Sequence, residues 1–223
     1  MQNKKEKIAL FDFCDTLVSF QTANEYVRFY IKHHASFAVK LRHICYLLMS
    51  ITGLVSRMEN RAPDKNIRKR MLLWQLKGCP IKRMEQAAME YYQQRIKPCL
   101  IIETIHELTR LQKEGWRILI VSGGYDLYIN HFALEFGISG NDVISNHLVF
   151  INGIFSGRYD VDCMGSKKVE ILNDKFNRKN YDVIAYSDSE SDLPMLLWAD
   201  TAIVISKSWA KNYNFQEIRI PTL

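Results

Sequence analysis

Cysteine is sparse and unpaired in pattern: five residues, at 14, 45, 79, 99 and 163, with no CxxC spacing. That excludes the common thiolate metal and redox motifs, and reads as free or buried thiols in a reducing compartment. Long apolar runs are also missing. The longest, Ile44 to Val55, covers 12 residues, where a membrane-spanning helix needs about 20. Near the basic N-terminus the apolar run of Ile8 to Phe11 is broken by Asp12, too early for a secretory segment of about 7–15 apolar residues. A cytoplasmic location is the expectation. There is no internal repeat and no low-complexity tract. Apolar residues at 48% and charged residues at 24% exclude a wholly disordered, collagenous or coiled-coil chain. The 223 residues suffice for one core plus a modest insert, burying roughly 72% of the unfolded surface.

Short apolar runs without helical period predict buried strands at Ile8 to Phe13, Arg117 to Val121, Asp182 to Tyr186 and Ala202 to Ile205. Helical patterns precede the last three, including one from about Cys99 to Glu114, stopped by Gly115, and one from about Ser166 to Phe176. Alternation of this kind predicts an α/β fold, a Rossmann-like parallel sheet with helices on both faces. Asn152-Gly153 between apolar runs predicts a hairpin. About 100 residues separate the first two strands, far too many for one crossover. Residues 20–98 read as mostly helical, punctuated at Pro63 and at Gly78-Cys79-Pro80. The predicted division is a core of residues 1–19 and 99–223 with an all-helical cap at 20–98.

Charge divides at the same boundary. The insert carries 15 Lys/Arg against 5 Asp/Glu, and the remainder 15 against 19. The densest cluster is Arg57, Arg61, Lys65, Arg68, Lys69 and Arg70. It reads either as a solvated helix face or as a surface for an anion or an acidic membrane. It lacks interleaved stacking aromatics, so nucleic acid is not an expected partner. The apolar stretch 44–55 is expected to be a cap-core helix or a dimer contact; the alternative is an interfacial segment.

Four segments fall at or just beyond predicted strand ends, the edge where open α/β sheets bind ligands. They are Asp12-Phe-Cys14-Asp15-Thr16, Ser122-Gly123-Gly124, Lys167-Lys168 and Asp188-Ser-Glu-Ser-Asp192. Asp12, Asp188 and Asp192 offer hard oxygens of the kind Mg²⁺ prefers. Ser122 and the Gly123 amide offer donors to an anion, and a helix-start lysine adds a point charge. Singly each segment is weak. Together, and in this order, they make a phosphoryl-transfer set.

With these segments the chain resembles the haloacid dehalogenase (HAD) superfamily, in its phosphoserine phosphatase-like branch. VSGG at 121–124, GSKKVEIL at 165–172 and YSDSESDLPML at 186–196 carry the resemblance. It implies a Mg²⁺-dependent phosphomonoester hydrolase or phosphotransferase, with Asp12 as nucleophile through an aspartyl phosphate. Mg²⁺ would be held by Asp12, Asp188 and the Cys14 carbonyl, with Asp192 supporting through water. Ser122, Gly123 and Lys168 would hold the phosphoryl oxygens. A dehalogenase-like hydrolase is the less fitting variant, because Lys168, Asp188 and Asp192 together favour Mg²⁺ and phosphate.

Two positions depart from the branch. Its phosphatases carry an aspartate two residues after the nucleophile, where this chain has Cys14, with Asp15 one place later. A thiol of pKa about 8.5 is a poor general base at neutral pH. Three readings stay open: Asp15 substitutes, the leaving group is activated or another acid serves, or a catalytically weakened phospho-ligand binding protein remains. The branch's substrate-ammonium glutamate corresponds to neutral Gln21, which argues against phosphoserine. The expected ligand is a small-molecule or lipid-linked phosphomonoester, with peripheral contact to an anionic membrane through the basic cap.

Overall fold

The computed structural model describes residues 5–62, 66–205, 213 and 215–218. Six strands form one parallel sheet: β1 (Glu6–Phe11), β2 (Arg117–Tyr125), β3 (Val143–Asn146), β6 (Tyr181–Ser187), β7 (Thr201–Ile205) and β8 (Gln216–Ile218). Their order is β3-β2-β1-β6-β7-β8, with Leu10 facing Leu119 on one side and Ala185 on the other. The central strand is apolar throughout because both of its faces are covered. Ala9 and Phe11 join Ile118 and Ile120 in a core under α6 (Ile102–Lys113) and α7 (Asp126–Glu135). Ile8 and Leu10 join Leu119 and Val183 under α8 (Ser166–Lys175) and α9 (Leu193–Trp198). The expected Rossmann-like sheet with helices on both faces is therefore present.

Between β1 and β2 lie α1 (Thr22–His34), α2 (Phe37–Ile51), α3 (Leu54–Arg61), α4 (Ile67–Trp74) and α5 (Ile81–Tyr91). This is the all-helical insertion after the first strand. The predicted break at Pro63, and Lys65 of the basic cluster, lie outside the described residues. A tyrosine cluster fastens the helices to the core. The rings of Tyr26 and Tyr91 lie 5.5 and 5.4 Å from that of Tyr128. The hydroxyl of Tyr91 donates to the Thr22 carbonyl at 2.9 Å.

Asn152 and Gly153 take φ of +50° and +75°, the turn that the Asn-Gly pair predicts. They join β4 (Leu148–Ile151) and β5 (Ile154–Tyr159) as an antiparallel ribbon. The ribbon belongs to the later part of the chain yet bonds to cap backbone. Gly78 N–H donates to the Phe155 carbonyl, and Phe155 N–H to the Cys79 carbonyl, both at 2.9 Å.

Two expectations need correction. The first strand ends at Phe11 rather than Phe13. Asp12 N–H still donates to the Tyr186 carbonyl at 3.0 Å, and then the chain turns through Asp15 at φ +54°, a conformation aspartate tolerates. The apolar stretch 44–55 is not one core helix. Gly53, at φ +72°, separates α2 from α3, and their axes bend by 74°. Val39 is the buried residue of α2, whereas Ile44, Leu48 and Ile51 are exposed.

Candidate active site

Asp12 is the first residue beyond β1, Asp188 the first beyond β6, and Ser122 and Gly123 lie in the last part of β2. Lys168 stands in the first turn of α8. Parallel pairing of β1 with both β2 and β6 brings these chain-distant segments to one edge. They line a cleft of about 280 Å³ together with Cys14, Gln21 and Asp192. Asp15 is absent from that lining; its Oδ2 instead accepts a hydrogen bond from Gln21 Nε2 at 2.6 Å.

Lys168 is the central cation. Its Nζ donates to Asp12 Oδ1 and to Asp192 Oδ2, each at 2.7 Å, and only 2% of the residue is exposed. Burial alone would lower the lysine pKa, but Asp12 and Asp192 outweigh it and hold the ammonium charged. Asp12 is pushed the other way, up to about 7, by burial first and then by Asp192 and Asp188, against the pull of Lys168. Burial outweighs the ammonium at Asp12, and the neighbouring carboxylates add to the upward shift.

The supporting contacts are specific. Ser187 Oγ donates to Asp192 Oδ2 at 2.8 Å. Buried Thr16 accepts the Asp188 N–H on its hydroxyl at 3.0 Å, tying the first segment to the last. Asn146 Nδ2 donates to the Gly123 carbonyl at 3.2 Å, and its Oδ1 accepts from Cys163 N–H at 2.7 Å. Gly124 must stay small, since a Cβ there would meet the Tyr128 hydroxyl at 2.7 Å and Ile129 Cδ1 at 2.9 Å.

Cys14 is held as a protonated thiol. Its Sγ pairs with Thr22 Oγ1 at 3.1 Å and accepts the Thr22 N–H at 3.4 Å. Burial, reinforced by the Asp12 charge, pushes the thiol up to about 12, so no useful thiolate forms near neutrality.

The cap closes over this edge through part of the basic cluster and through two residues the sequence did not single out, Asn66 and Asp162. Asp162 Oδ1 accepts from Lys69 Nζ at 2.9 Å, and its Oδ2 from Asn66 Nδ2 at 2.5 Å and Tyr159 OH at 3.0 Å. Lys69 and Arg68, members of the basic cluster, line the cleft beside Asn24, Glu59 and Met164. The run of positive charge was the only signal for any of these; Asn66 and Asp162 stand in no motif.

Among the described residues no three His, Cys, Asp or Glu side chains converge as a metal cluster. A magnesium ion does not require one, since it retains several waters and takes one or two carboxylates. The hard-oxygen donors Asp12, Asp188 and Asp192 on the cleft lining fit such an ion.

A parallel sheet with a helical insertion after its first strand, and carboxylates and a buried lysine at its carboxyl edge, defines a capped α/β hydrolytic class. The haloacid dehalogenase-like hydrolase family model matches residues 9–197, and the chain belongs to that family. It is 29% identical over 198 residues to a phosphoserine phosphatase of Methanocaldococcus jannaschii, covering 86% of this chain and 82% of that protein. A Bordetella pertussis Tohama I structure of unknown function shares the fold with a TM-score of 0.81 at 18% identity, covering 98% of this chain and all of that one. A phospho-aspartyl intermediate analogue of phosphoserine phosphatase superposes with a TM-score of 0.62 at 23% identity, covering 98% and 95%.

Proposed function

We propose that this chain is a Mg²⁺-dependent phosphomonoester hydrolase or phosphotransferase that works through a phosphoryl group on Asp12. The observation that carries the reading is the buried Lys168 ammonium at 2.7 Å from both Asp12 and Asp192. A carboxylate can attack an anionic phosphate only where cations offset the repulsion. Asp12 Oδ forms the new bond to phosphorus as the ester oxygen leaves, and water then cleaves the aspartyl phosphate, releasing inorganic phosphate. Lys168, the Ser122 hydroxyl and the Gly123 amide hold the phosphoryl oxygens. Asp12, Asp188 and the Cys14 carbonyl would hold Mg²⁺, with Asp192 acting through water; the ion would supply charge stabilisation at the phosphoryl oxygens. The core at 1–19 and 99–223 supplies this chemistry and the cap at 20–98 selects the substrate.

Cys14 stands where related phosphatases carry their acid–base aspartate. A thiol near pKa 12 is no base, and Asp15 is engaged by Gln21 outside the cleft. Substitution by Asp15 is thus the reading the geometry supports least. The reading it favours is a substrate with a stable leaving group that needs little protonation. Gln21 brings no charge for a substrate ammonium, which disfavours phosphoserine. The second reading, a phospho-ligand binding protein with faded catalysis, keeps the same site.

The test is phosphate release with and without Mg²⁺ over phosphomonoesters graded by leaving-group pKa, lipid phosphates included. Asp12→Asn should reduce release to background while the far-ultraviolet spectrum is unchanged. Release that persists in Asp12→Asn overturns the nucleophile assignment. Silence of the wild type across the panel, with phosphate analogues still bound, favours the binding protein.

A further inference from the structure

A second cavity, of about 560 Å³, lies between α2, α4 and β5 and shares no lining residue with the catalytic cleft. The two stand back to back. Lys69 lines the cleft, and its Nζ sits 5.0 Å from the ring of Tyr159, which lines the second cavity. The walls are apolar, with Met49, Met71 and Trp74 prominent, and no carboxylate contributes. Three guanidinium groups do: Arg42, Arg70 and Arg158. Arg42 lies 5.8 Å from the ring of Trp74 and Arg70 lies 5.2 Å from that of Tyr159. Arg42 Nε donates to the Ala38 carbonyl at 3.3 Å, and no ion pair with a carboxylate is found for any of the three among the described residues.

Gln75 supplies an independent observation. It is 1% exposed and lines the cavity. His43 Nδ1 occupies its Oε1 at 2.8 Å, while its Nε2 has no hydrogen-bond partner. A buried amide donor left without an acceptor is rare, and points to a group that completes it. An apolar chamber lined by cations and by a buried amide not fully satisfied, in the size range of small-molecule pockets, suits one chemistry.

We propose that this cavity binds an amphipathic anion: a carboxylate or phosphate head on an acyl-like apolar body. The head would meet the guanidiniums, and the body would lie against Met49, Met71 and Trp74. This site is separate from the chemistry at Asp12. The test is calorimetric titration of the full chain with palmitate, with lysophosphatidate and with uncharged hexadecanol. Saturable binding of either anion, roughly tenfold or more tighter than the alcohol, is the expected result. Comparison of the two anions identifies the head group. Arg70→Ala with Arg158→Ala should weaken binding at least about tenfold, and Met49→Trp, which fills the chamber, should remove it. Asp12→Asn should bind as the wild type does, which separates this result from the proposed reaction. Absence of saturable binding by the folded wild type overturns the proposal, as does undiminished binding by folded Met49→Trp.

The outer side of α2 carries a different signal. Phe37, Leu41, Ile44, Leu48 and Ile51 recur at steps of four and three residues, so they share one face, and all are exposed. Leu54 and Met58 of α3 are exposed as well. No aspartate or glutamate occurs from residue 26 to 58, and the insert carries a net charge of +10. The same apolar spacing could seat a second copy, but two such caps would repel each other, whereas an anionic leaflet complements them. No single described helix is long and apolar enough to cross a membrane; α2 and α3 reach that length and composition only together, across a 74° bend. We infer that this face lies along an anionic bilayer surface. Co-sedimentation with phosphatidylcholine vesicles, with and without phosphatidylglycerol, tests it. Binding should require the anionic lipid, fall with salt, and drop roughly tenfold or more in Ile44→Glu with Leu48→Glu. Failure of the folded wild type to bind anionic vesicles overturns the inference. So does a solution dimer that the same double variant dissolves.

Discussion

Thr22 shows how much a single residue organises beside Asp12, the proposed nucleophile. Its N–H and hydroxyl both meet Cys14 Sγ, and the hydroxyl also lies 2.8 Å from Tyr128 OH. A carboxylate at position 14 would inherit those two donors in place of sulfur. Cys14→Asp should therefore be accommodated and should restore proton transfer to the leaving group, a contribution of about 10²–10⁴ in rate. The gain should be largest for phosphomonoesters with basic leaving groups and small for aryl phosphates. Plots of kcat/KM against leaving-group pKa check this: steep for the wild type, flatter for the variant. Equal slopes would remove Cys14 from the explanation. Thr16 acts one step further out, since its hydroxyl accepts the Asp188 N–H. Thr16→Val leaves that buried donor unpaired, at about 1–3 kcal/mol of stability. Urea unfolding should show the loss, kcat should fall with it, and Thr16→Ser should recover both. A positioning role is refuted if Thr16→Ser behaves like Thr16→Val.

Among the elements, α4 couples cap to core by charge, through Asn66 at its start and Lys69 in its first turn. Burial raises the Asp162 pKa, but the Lys69 charge and the bonds from Lys69, Asn66 and Tyr159 outweigh it and leave the carboxyl below its usual value. A depressed carboxylate contributes stability above its unfolded pKa and loses it as pH falls through the folded one. Asp162→Asn should cost about 1–3 kcal/mol near neutrality, and the gap to wild type should begin to narrow as pH falls through about 4 and shrink further on acidification. Urea midpoints of both proteins between pH 6 and 3 measure the gap; one that widens on acidification would contradict the assignment. This contact also marks where sequence reading stops. Strand-end aspartates and the Ser-Gly-Gly segment are legible because strands alternate with helices and the chemistry gathers at one sheet edge. Asp162 is a loop acid in no motif, and its role follows only from where the ribbon β4–β5 brings it. The apolar stretch 44–55 misled for a related reason: composition shows that a helix is apolar, but only packing shows whether anything covers it.

For the whole molecule, charge is distributed against proximity. Positive charge collects on the cap, while the core edge it covers gathers Asp12, Asp188 and Asp192 with the buried Lys168. The doubly wound core could be read from strand and helix periods alone, and the insert from the long interval between the first two strands. The tyrosine cluster and the ribbon that lock cap to core have no periodic signature, because their partners lie tens of residues apart. That locked arrangement makes global stability a readout of the cleft. A divalent ion that binds the folded cleft and not the unfolded chain should stabilise by about 2.7 kcal/mol at a hundred times its Kd. For a chain of this size each kcal/mol corresponds to about 2–4 °C in Tm. Thermal unfolding at rising Mg²⁺ should thus move upward by several degrees and saturate. Sodium chloride at matched ionic strength should not reproduce the shift, since screening acts on the exposed cap charges rather than on the buried carboxylates. In Asp188→Asn the Mg²⁺-dependent shift should vanish. If it persists there at full size, the ion binds elsewhere on the surface and the cleft carboxylates serve only to hold Lys168.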